Sequence, residues 1–234
     1  MNIKNAHILI TGGSSGIGKE TAKLCIEKGA KVVITGRDEN KLNQTAQEIG
    51  AIPLHFDISN LDSIPSMAKN SIELLGGKID TLINNAGIGV FPKIGEITAE
   101  DLQKVYTTNV FGLALLSQEI VASFKEQNFG NIINIGSTAS LKGFVGGSIY
   151  AASKFAVRGM TQSWQAELRK FNIRVTQVNP SEVTTAFANA ERKERDEVDN
   201  KLSSLEIAHA IVSSLEMRDK GFIPEITIWA TNPF

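Results

Sequence analysis

Short apolar segments rich in β-branched residues alternate along this chain with longer segments whose apolar positions recur every three or four residues. The short runs fit buried strands, and the longer spacing fits one face of an amphipathic helix. The runs that predict strands are His7–Thr11, Lys31–Gly36, Ile52–Asp57, Ile79–Asn84, Asn131–Gly136, Ile173–Val178 and Glu225–Trp229. Strands that alternate with helices predict right-handed crossovers. We therefore expect an α/β fold with a doubly wound, seven-stranded parallel sheet and helices on both faces.

Several residues mark where the predicted helices begin and end. Gly29 and Gly50 fall where a left-handed residue would close a helix. Thr98 and Ser203 are each followed three residues later by an acid, which is the spacing of a capping box at a helix start. The sequence shows no shift of composition, internal repeat or glycine-rich linker. We therefore predict one domain over residues 1–234.

The composition excludes several classes of protein. Apolar residues make up 42% and charged residues 21% of the 234 positions, which is ordinary for a globular protein. A net charge of −1 gives no reason to expect nucleic acid or an anionic membrane as a partner. The first residues lack the apolar core of a signal peptide, and no apolar run is as long as a membrane span. The single cysteine, Cys25, fits a buried helix position in a reducing compartment, so we expect a cytoplasmic protein.

The histidines predict no metal site. His7, His55 and His209 lie far apart in the pattern, and no cluster of histidine, cysteine and aspartate has the spacing of metal ligands. We expect these residues to have structural or surface roles.

A glycine-rich turn, Thr11–Gly18, follows the first predicted strand and opens the first helix, with glycines spaced Gly-x-x-x-Gly-x-Gly. In a doubly wound sheet, ligands bind beyond the carboxyl ends of the strands, and a helix N-terminus offers amide groups to a phosphate. The turn therefore predicts a dinucleotide site. The predicted contacts are Gly12, Ser14, Ser15, Gly16, Ile17 and Gly18.

The end of the second strand predicts which nicotinamide dinucleotide is preferred. A site for NAD usually has an acid here to bind the ribose hydroxyls, but this chain has Gly36 followed by Arg37. A guanidinium suits a 2′-phosphate, which it can bind in bidentate fashion. We therefore favour NADP(H), with NAD(H) as the alternative. Arg37 could instead pair at the surface with Asp38 or Glu39.

A tyrosine and a lysine one helical turn apart predict proton transfer. Tyr150 and Lys154 share one face of the helix predicted over Ser148–Phe171. A nearby ammonium would lower the pKa of the phenol, ordinarily about 10, and would make the tyrosine a proton donor near neutrality. Ser137 ends the fifth predicted strand and so lies at the ligand edge of the sheet. Beside a dinucleotide, these residues indicate hydride transfer.

With these residues, the chain resembles the short-chain dehydrogenase/reductase family over essentially its whole length, and within it the 3-oxoacyl-carrier-protein reductases. The resemblance implies a single-domain Rossmann fold. Thr11–Gly18 matches the cofactor loop of the family, and Asn84–Gly87 matches its second signature, which stabilises the sheet and borders the cofactor. The residues that match the catalytic tetrad in order and separation are Asn109, Ser137, Tyr150 and Lys154. The further cofactor contacts that the resemblance implies are Asp57, Asn84, Ala86, Gly87, Tyr150, Lys154, Pro180, Val183 and Thr185.

The resemblance also implies a reaction. A hydride would pass between NADPH and a carbonyl carbon while Tyr150 protonates the carbonyl oxygen and Ser137 polarises it. Lys154 would lower the tyrosine pKa and hold the nicotinamide ribose, and Asn109 would bend its helix and anchor a water. The backbone of Val183 would meet the nicotinamide carboxamide. The implied partners are a small carbonyl or alcohol substrate and further copies of the chain, as a homodimer or homotetramer.

Three further expectations concern the substrate side. Ser181 stands where most members of the family have glycine, so it would be strained if the position required a positive φ. Residues 184–204 include the charged stretch Glu191–Glu197, which fits either a solvated surface helix or a mobile flap over the ligand. Apolar residues suggest a partly apolar pocket, namely Ile88–Phe91, Phe144 and Phe187.

A rival function of another class is a nucleotide-sensing protein that keeps the fold without turnover. Such proteins usually lack the tyrosine or the lysine, and this chain has both Tyr150 and Lys154. We therefore expect an NADP(H)-dependent oxidoreductase that interconverts a carbonyl and a secondary alcohol.

Overall fold

The computed structural model describes residues 1–188 and 196–233 of the chain. Most of the charged stretch that was predicted as a surface helix or a flap, residues 191–195, lies outside the described residues. No helix in the described part is long and apolar enough to cross a membrane.

A seven-stranded sheet forms the centre of the molecule, and every strand pair in it is parallel. The strands are β1 (His7–Ile10), β2 (Lys31–Gly36), β3 (Ile52–His55), β4 (Thr81–Asn84), β5 (Gly130–Ile135), β6 (Ile173–Pro180) and β7 (Glu225–Ile228). Their order across the sheet is β3-β2-β1-β4-β5-β6-β7. All seven predicted strands are confirmed, although several ends differ by one or two residues.

The helices that cross between the strands are α1 (Gly16–Glu27), α2 (Glu39–Ile49), α3 (Ile64–Leu75), α4 (Ala99–Tyr106), α5 (Leu113–Glu126), α6 (Ser148–Leu168) and α7 (Ser204–Glu216). The predicted caps form as expected. Gly50 closes α2 in the left-handed region, and Ser203 and Glu206 make a reciprocal capping box at the start of α7. Thr98 accepts a hydrogen bond from the Asp101 backbone N–H at the start of α4.

Alternate residues of the central strands supply two cores, one on each face of the sheet. In β1, Ile8 and Ile10 pack with α1 and α7 on one side, where Cys25 is also fully buried. Leu9 faces the other side and packs with α3 and α5. Because both faces are covered, the strands are apolar almost throughout, as parallel strands generally are.

The strand order reverses at β1, since β2 lies on one side of β1 and β4 lies on the other. The crossovers after β1 and β4 therefore leave towards opposite faces, which opens a crevice at the carboxyl end of these two strands. The glycine-rich turn after β1 and the Asn84–Gly87 segment after β4 meet at this crevice.

A buried carboxylate joins the opposite, amino-terminal end of the same two strands. Asp80 accepts hydrogen bonds from the backbone N–H and the Nδ1 of His7, both at 2.9 Å, and forms an ion pair with Lys78 at 3.0 Å. Burial alone would raise the pKa of Asp80, but the hydrogen bonds from His7 and Lys78 together lower it. The ionised form of Asp80 therefore stabilises the pairing of β1 with β4.

We predict that Asp80→Asn lowers the free energy of unfolding at pH 7 by about 1–3 kcal/mol. Because the folded pKa of Asp80 is lowered, its contribution is present above its ordinary pKa of 3.8 and is lost as the pH falls through the folded value. Urea unfolding from pH 7 to pH 3 should therefore show the difference between wild type and variant shrinking in acid. The exposed Asp62→Asn is the matched control, and a difference that grows in acid would contradict this assignment.

Candidate active site

A cleft of about 1510 Å³ runs along the carboxyl ends of the strands. Its walls include these residues of the predicted site: Gly12, Ser14, Ser15, Gly16, Ile17, Arg37, Asp57, Ala86, Gly87, Ser137, Tyr150, Lys154, Pro180, Val183 and Thr185. Three predicted site residues do not line it, namely Gly18, Asn84 and Asn109. The turn after β1, the end of β2 at Arg37 (the predicted ribose end) and Tyr150 thus share one cleft.

The glycines of the turn have two different roles. Gly12 and Gly16 have φ angles of +65° and +53°, which a residue with a side chain rarely adopts, and they line the cleft. Gly18 lies behind them, where a Cβ would come within 2.4 Å of the Gly12 carbonyl oxygen. Its role is therefore the close packing of α1 against the turn, and its contact with the cofactor stays a prediction.

Thr11 and Asn85, to which the sequence assigned no individual role, hold the glycine-rich turn against the segment after β4. Asn85 donates from Nδ2 to the carbonyls of Thr11 and Gly12, at 3.0 and 2.9 Å. The Thr11 hydroxyl in return accepts the backbone N–H groups of Asn85 and Ala86, both at 3.0 Å. The sequence signals were that Thr11 begins the Thr11–Gly18 turn and that Asn85 lies within the Asn84–Gly87 signature.

Asn84 points away from the cleft, into the layer between the sheet and the helices. Its Nδ2 donates to Ser117 Oγ and to Asn134 Oδ1, both at 2.9 Å, and Asn134 in turn donates to Thr161. These bonds connect β4 and β5 to α5 and α6. The side chain of Asn84 therefore stabilises the sheet, and its contact with the cofactor stays a prediction.

Arg37 lies exposed at the end of β2 and lines the cleft. Asp38, its predicted alternative partner, instead caps α2 by accepting the Lys41 backbone N–H at 3.0 Å. Among the described carboxylates, none forms an ion pair with Arg37. Lys41 also lines this part of the cleft, so two cations lie at the predicted ribose end.

Asn109 lies in a π-helical segment, Thr107–Gly112, that separates α4 from α5. Its side chain is buried behind the cleft, where Oδ1 accepts the Ile88 N–H at 2.9 Å. Its Nδ2 donates to the Ile88 carbonyl and to Ser153 Oγ, at 2.9 and 3.0 Å. Asn109 thus joins the segment after β4 to α6, the helix that carries Tyr150 and Lys154.

Tyr150 and Lys154 point from α6 towards the end of β5. Lys154 Nζ donates to the Ile135 carbonyl at 2.8 Å and lies 5.8 Å from the centre of the phenol ring. The side chain of Ser137, two residues after Ile135, lowers the pKa of the Tyr150 phenol and so partly offsets the effect of burial. Its hydroxyl also accepts the Ala139 N–H at 3.1 Å, which fixes the start of a short 3-10 turn. The end of β5 thus orients both the serine and the lysine.

Burial controls the ionisation of the tyrosine and the lysine. Desolvation raises the pKa of Tyr150 to about 12, and the nearby Ser137 side chain opposes this rise only in part. Desolvation also lowers the pKa of Lys154 to about 8. The prediction that the lysine lowers the tyrosine pKa is therefore wrong for this structure, because removal from water favours the neutral phenol.

The segment after β6 continues along the cleft without strain. The Ser181 N–H donates to the Ile228 carbonyl at 2.9 Å, and among the described residues only Asn5, Asn128 and Asn172 have positive φ without being glycine. Serine at position 181 is therefore accommodated. Beyond it, Val183 forms a parallel bridge with Leu202.

Comparison with known sequences identifies the family. A sequence profile described as short chain dehydrogenase matches residues 6–196, which is well over half of the chain. The chain belongs to the short-chain dehydrogenase family. It is therefore an oxidoreductase that acts between alcohol and carbonyl groups and binds a nicotinamide cofactor.

Three similar proteins illustrate the range of this family. An NADP-dependent 3-hydroxy acid dehydrogenase of Schizosaccharomyces pombe is 32% identical over 96% of this chain and 92% of its own length. The closed form of a serine dehydrogenase complexed with NADP⁺ has a TM-score of 0.86 at 28% identity, covering 94% and 93% of the two chains. A family member from Burkholderia phymatum in complex with NAD has a TM-score of 0.86 at 27% identity, covering 96% and 90%.

The cleft of this short-chain dehydrogenase fits a dinucleotide. The N-terminus of α1 has no acidic residue in its first turn, and Ser15 makes no side-chain capping hydrogen bond there. A Cβ on Gly12 would lie 3.0 Å from Ala86 Cα, so glycine keeps the turn clear of side chains. This end of the helix therefore suits the charge of a pyrophosphate.

We predict that Lys154→Met raises the free energy of unfolding at pH 7 by about 1–3 kcal/mol while it removes activity. The pKa of Lys154 is lower in the folded than in the unfolded chain, so the buried ammonium destabilises the fold below about pH 8. This penalty disappears as the pH rises towards the ordinary value of 10.5. Urea unfolding at pH 7 and pH 10 should thus show the largest difference at pH 7, with the exposed Lys104→Met as control. A less stable variant at pH 7 would refute this account.

Proposed function

We propose that this chain is an NADP(H)-dependent carbonyl reductase that interconverts a ketone and a secondary alcohol. The observation that carries the proposal is that one cleft joins the Arg37 end, the glycine turn and the Ser137–Tyr150–Lys154 group. A nicotinamide dinucleotide bound there supplies or accepts the hydride. Gly12, Gly16 and Arg37 would hold its phosphates, and Asp57 would hold its adenosine.

In this proposal, Tyr150 is the proton donor to the carbonyl oxygen. Its pKa of about 12 keeps the phenol protonated near neutrality, which suits the direction of reduction. Ser137 lines the cleft with Tyr150 and would donate to the carbonyl oxygen, which gains negative charge in the transition state.

Lys154 and Asn109 would support the tyrosine in different ways. Lys154 lines the cleft, has its pKa lowered to about 8 and would bind the nicotinamide ribose. Asn109 does not line the cleft, so we assign it a positioning role through Ile88 and Ser153. The proposal that Asn109 also anchors a water rests on the family resemblance alone.

The preference for NADP(H) is supported by charge at the ribose end. Arg37 and Lys41 both line the cleft, and Arg37 has no ion pair with a described carboxylate. Arg37 and Lys41 would both bind the 2′-phosphate of NADP(H). NAD(H) lacks this phosphate and would leave the two side chains without an anion to bind.

Pairing of two copies is also part of the proposal. Apolar side chains are exposed on each of α4, α5 and α6, among them Leu102 at 40%, Leu115 at 37% and Phe155 at 44%. Exposed apolar residues are common at interfaces between proteins. We propose that these helices join subunits of a homodimer or homotetramer in a cytoplasmic enzyme.

The rival function, a nucleotide sensor without turnover, is less well supported. The serine, tyrosine and lysine needed for the reaction all line the same cleft. A sensor would not require this arrangement.

We predict that Tyr150→Phe lowers kcat by about 100- to 10,000-fold, since it removes the proton donor without changing the apolar ring. NADPH consumption should be followed over a panel of ketones, oxoacyl thioesters, quinones and sugars, with cofactor binding measured separately. Binding of NADPH should persist in the variant. The control is Tyr106→Phe at the other tyrosine of the chain, and a kcat for Tyr150→Phe near that of wild type would remove this residue from the mechanism.

We predict that Arg37→Asp shifts the ratio of kcat/KM for NADPH over NADH by about 10- to 100-fold towards NADH, because an acid repels the 2′-phosphate and can bind the ribose hydroxyls. Arg169→Asp makes the same charge change on the surface outside the cleft and should leave the ratio unaltered. An unchanged ratio in Arg37→Asp would reject this account of cofactor choice.

A further inference from the structure

Three phenylalanines form an aromatic group beside Tyr150, the proposed proton donor. We name Phe91, Phe144 and Phe187 the aromatic enclosure. The rings of Phe91 and Phe187 each lie 5.5 Å from the ring of Tyr150, at interplanar angles of 63° and 56°. Phe144 extends the group, with its ring 6.0 Å from that of Phe91. All three line the cleft. A substrate whose carbonyl reaches Tyr150 must therefore place its substituents against aromatic rings.

Gly89 allows the rings of Phe91 and Phe187 to pack against the same backbone position. A Cβ on Gly89 would lie 2.5 Å from the ring of Phe91 and 3.1 Å from the ring of Phe187. Any larger residue at position 89 would therefore push the two rings apart. The enclosure depends on this backbone position as well as on the phenylalanines themselves.

Two rings of the enclosure remain partly open to water. Phe91 is 42% exposed and Phe144 is 49% exposed. A ligand that covers these rings removes apolar surface from water, which is favourable in proportion to the area covered. Aromatic pairs in tilted or edge-to-face contact gain further energy beyond this area. The rings thus favour an aromatic group over an aliphatic group of the same volume.

The cations of the described cleft differ in how they could meet a substrate. Arg37 and Lys41 belong to the ribose end. Lys154 Nζ lies 5.8 Å from the centre of the Tyr150 ring, but it donates to the Ile135 carbonyl and is assigned to the nicotinamide ribose. Lys142, in the loop that also carries Phe144, is exposed to solvent. A substrate carboxylate would therefore depend on an exposed lysine, whereas an uncharged aryl group would meet three rings.

We propose that this enzyme reduces ketones whose carbonyl carbon carries an uncharged aromatic substituent, and that Phe91 and Phe187 set this specificity. The proposal rests on the carbonyl reductase function proposed above and narrows its substrate class. Neither phenylalanine takes part in hydride or proton transfer. Both act by binding the substituent and thereby holding the carbonyl at Tyr150.

The first test compares four ketones as substrates of the wild-type enzyme with NADPH. Phenyl methyl ketone should have a kcat/KM at least about tenfold above that of butanone and of 3-oxobutanoate. It should exceed cyclohexyl methyl ketone, which has similar bulk without aromaticity, by about threefold. A preference for 3-oxobutanoate that is lost in Lys142→Ala, or a preference for the cyclohexyl ketone, would overturn the proposal.

The second test uses variants of the enclosure. Phe91→Ala and Phe187→Ala should each lower kcat/KM for phenyl methyl ketone by about tenfold and should change that for butanone by less than about threefold. Phe111→Ala is the matched control, because Phe111 is also 42% exposed but does not line the cleft. Equal losses for both ketones would indicate a structural role and would refute the proposal.

A third measurement separates this proposal from the proposed function. Saturation-transfer NMR can detect phenyl methyl ketone bound to the full chain with cofactor present, whether or not it is reduced. Binding that weakens in Phe91→Ala, without turnover of any ketone, would refute the reductase function and keep the assignment of the enclosure. Turnover of butanone without any binding of phenyl methyl ketone would keep the reductase function and refute the assignment of the enclosure.

Discussion

The divergence of β1 and β4 is the constraint on which the site depends. These neighbouring strands are paired as far as Ile10 and Ile83, and the segments that follow them leave towards opposite faces of the sheet. Thr11 and Asn85 connect these segments through reciprocal hydrogen bonds of 2.9 to 3.0 Å. The glycine turn is thereby fixed to the segment that leads to Ile88. Asn109 then continues the connection from Ile88 to the helix that carries the tyrosine.

The burial of Tyr150 and Lys154 in the cleft lowers the stability of the folded chain. Tyr150 and Lys154 are both removed from water, which raises the pKa of the phenol to about 12 and lowers that of the amine to about 8. A core made only for stability would have apolar residues at these positions. The enclosing rings contribute to this desolvation, because Phe91 and Phe187 cover the phenol. Substrate binding and control of ionisation therefore share the same side chains.

The sequence was sufficient to predict what depends on local pattern. Runs such as Lys31–Gly36 predicted the strands, and the glycine turn predicted a segment that lines the cleft. Features that depend on packing between distant segments could not be predicted. The hydrogen bonds that join Asn109 to Ile88 and Ser153 connect segments far apart in the sequence, and no local pattern reveals them. The direction of the tyrosine pKa shift was predicted wrongly because it depends on burial, and burial comes from the whole fold.

The bridge between Val183 and Leu202 has a consequence for variation in chain length. Pairing of these residues brings together the chain that leaves β6 and the chain that enters α7. The ends of the intervening segment are thus held independently of its length, and the entropy of closing a loop rises only slowly as residues are added. Insertions and deletions between Val183 and Leu202 should therefore leave the sheet and the glycine-rich turn intact.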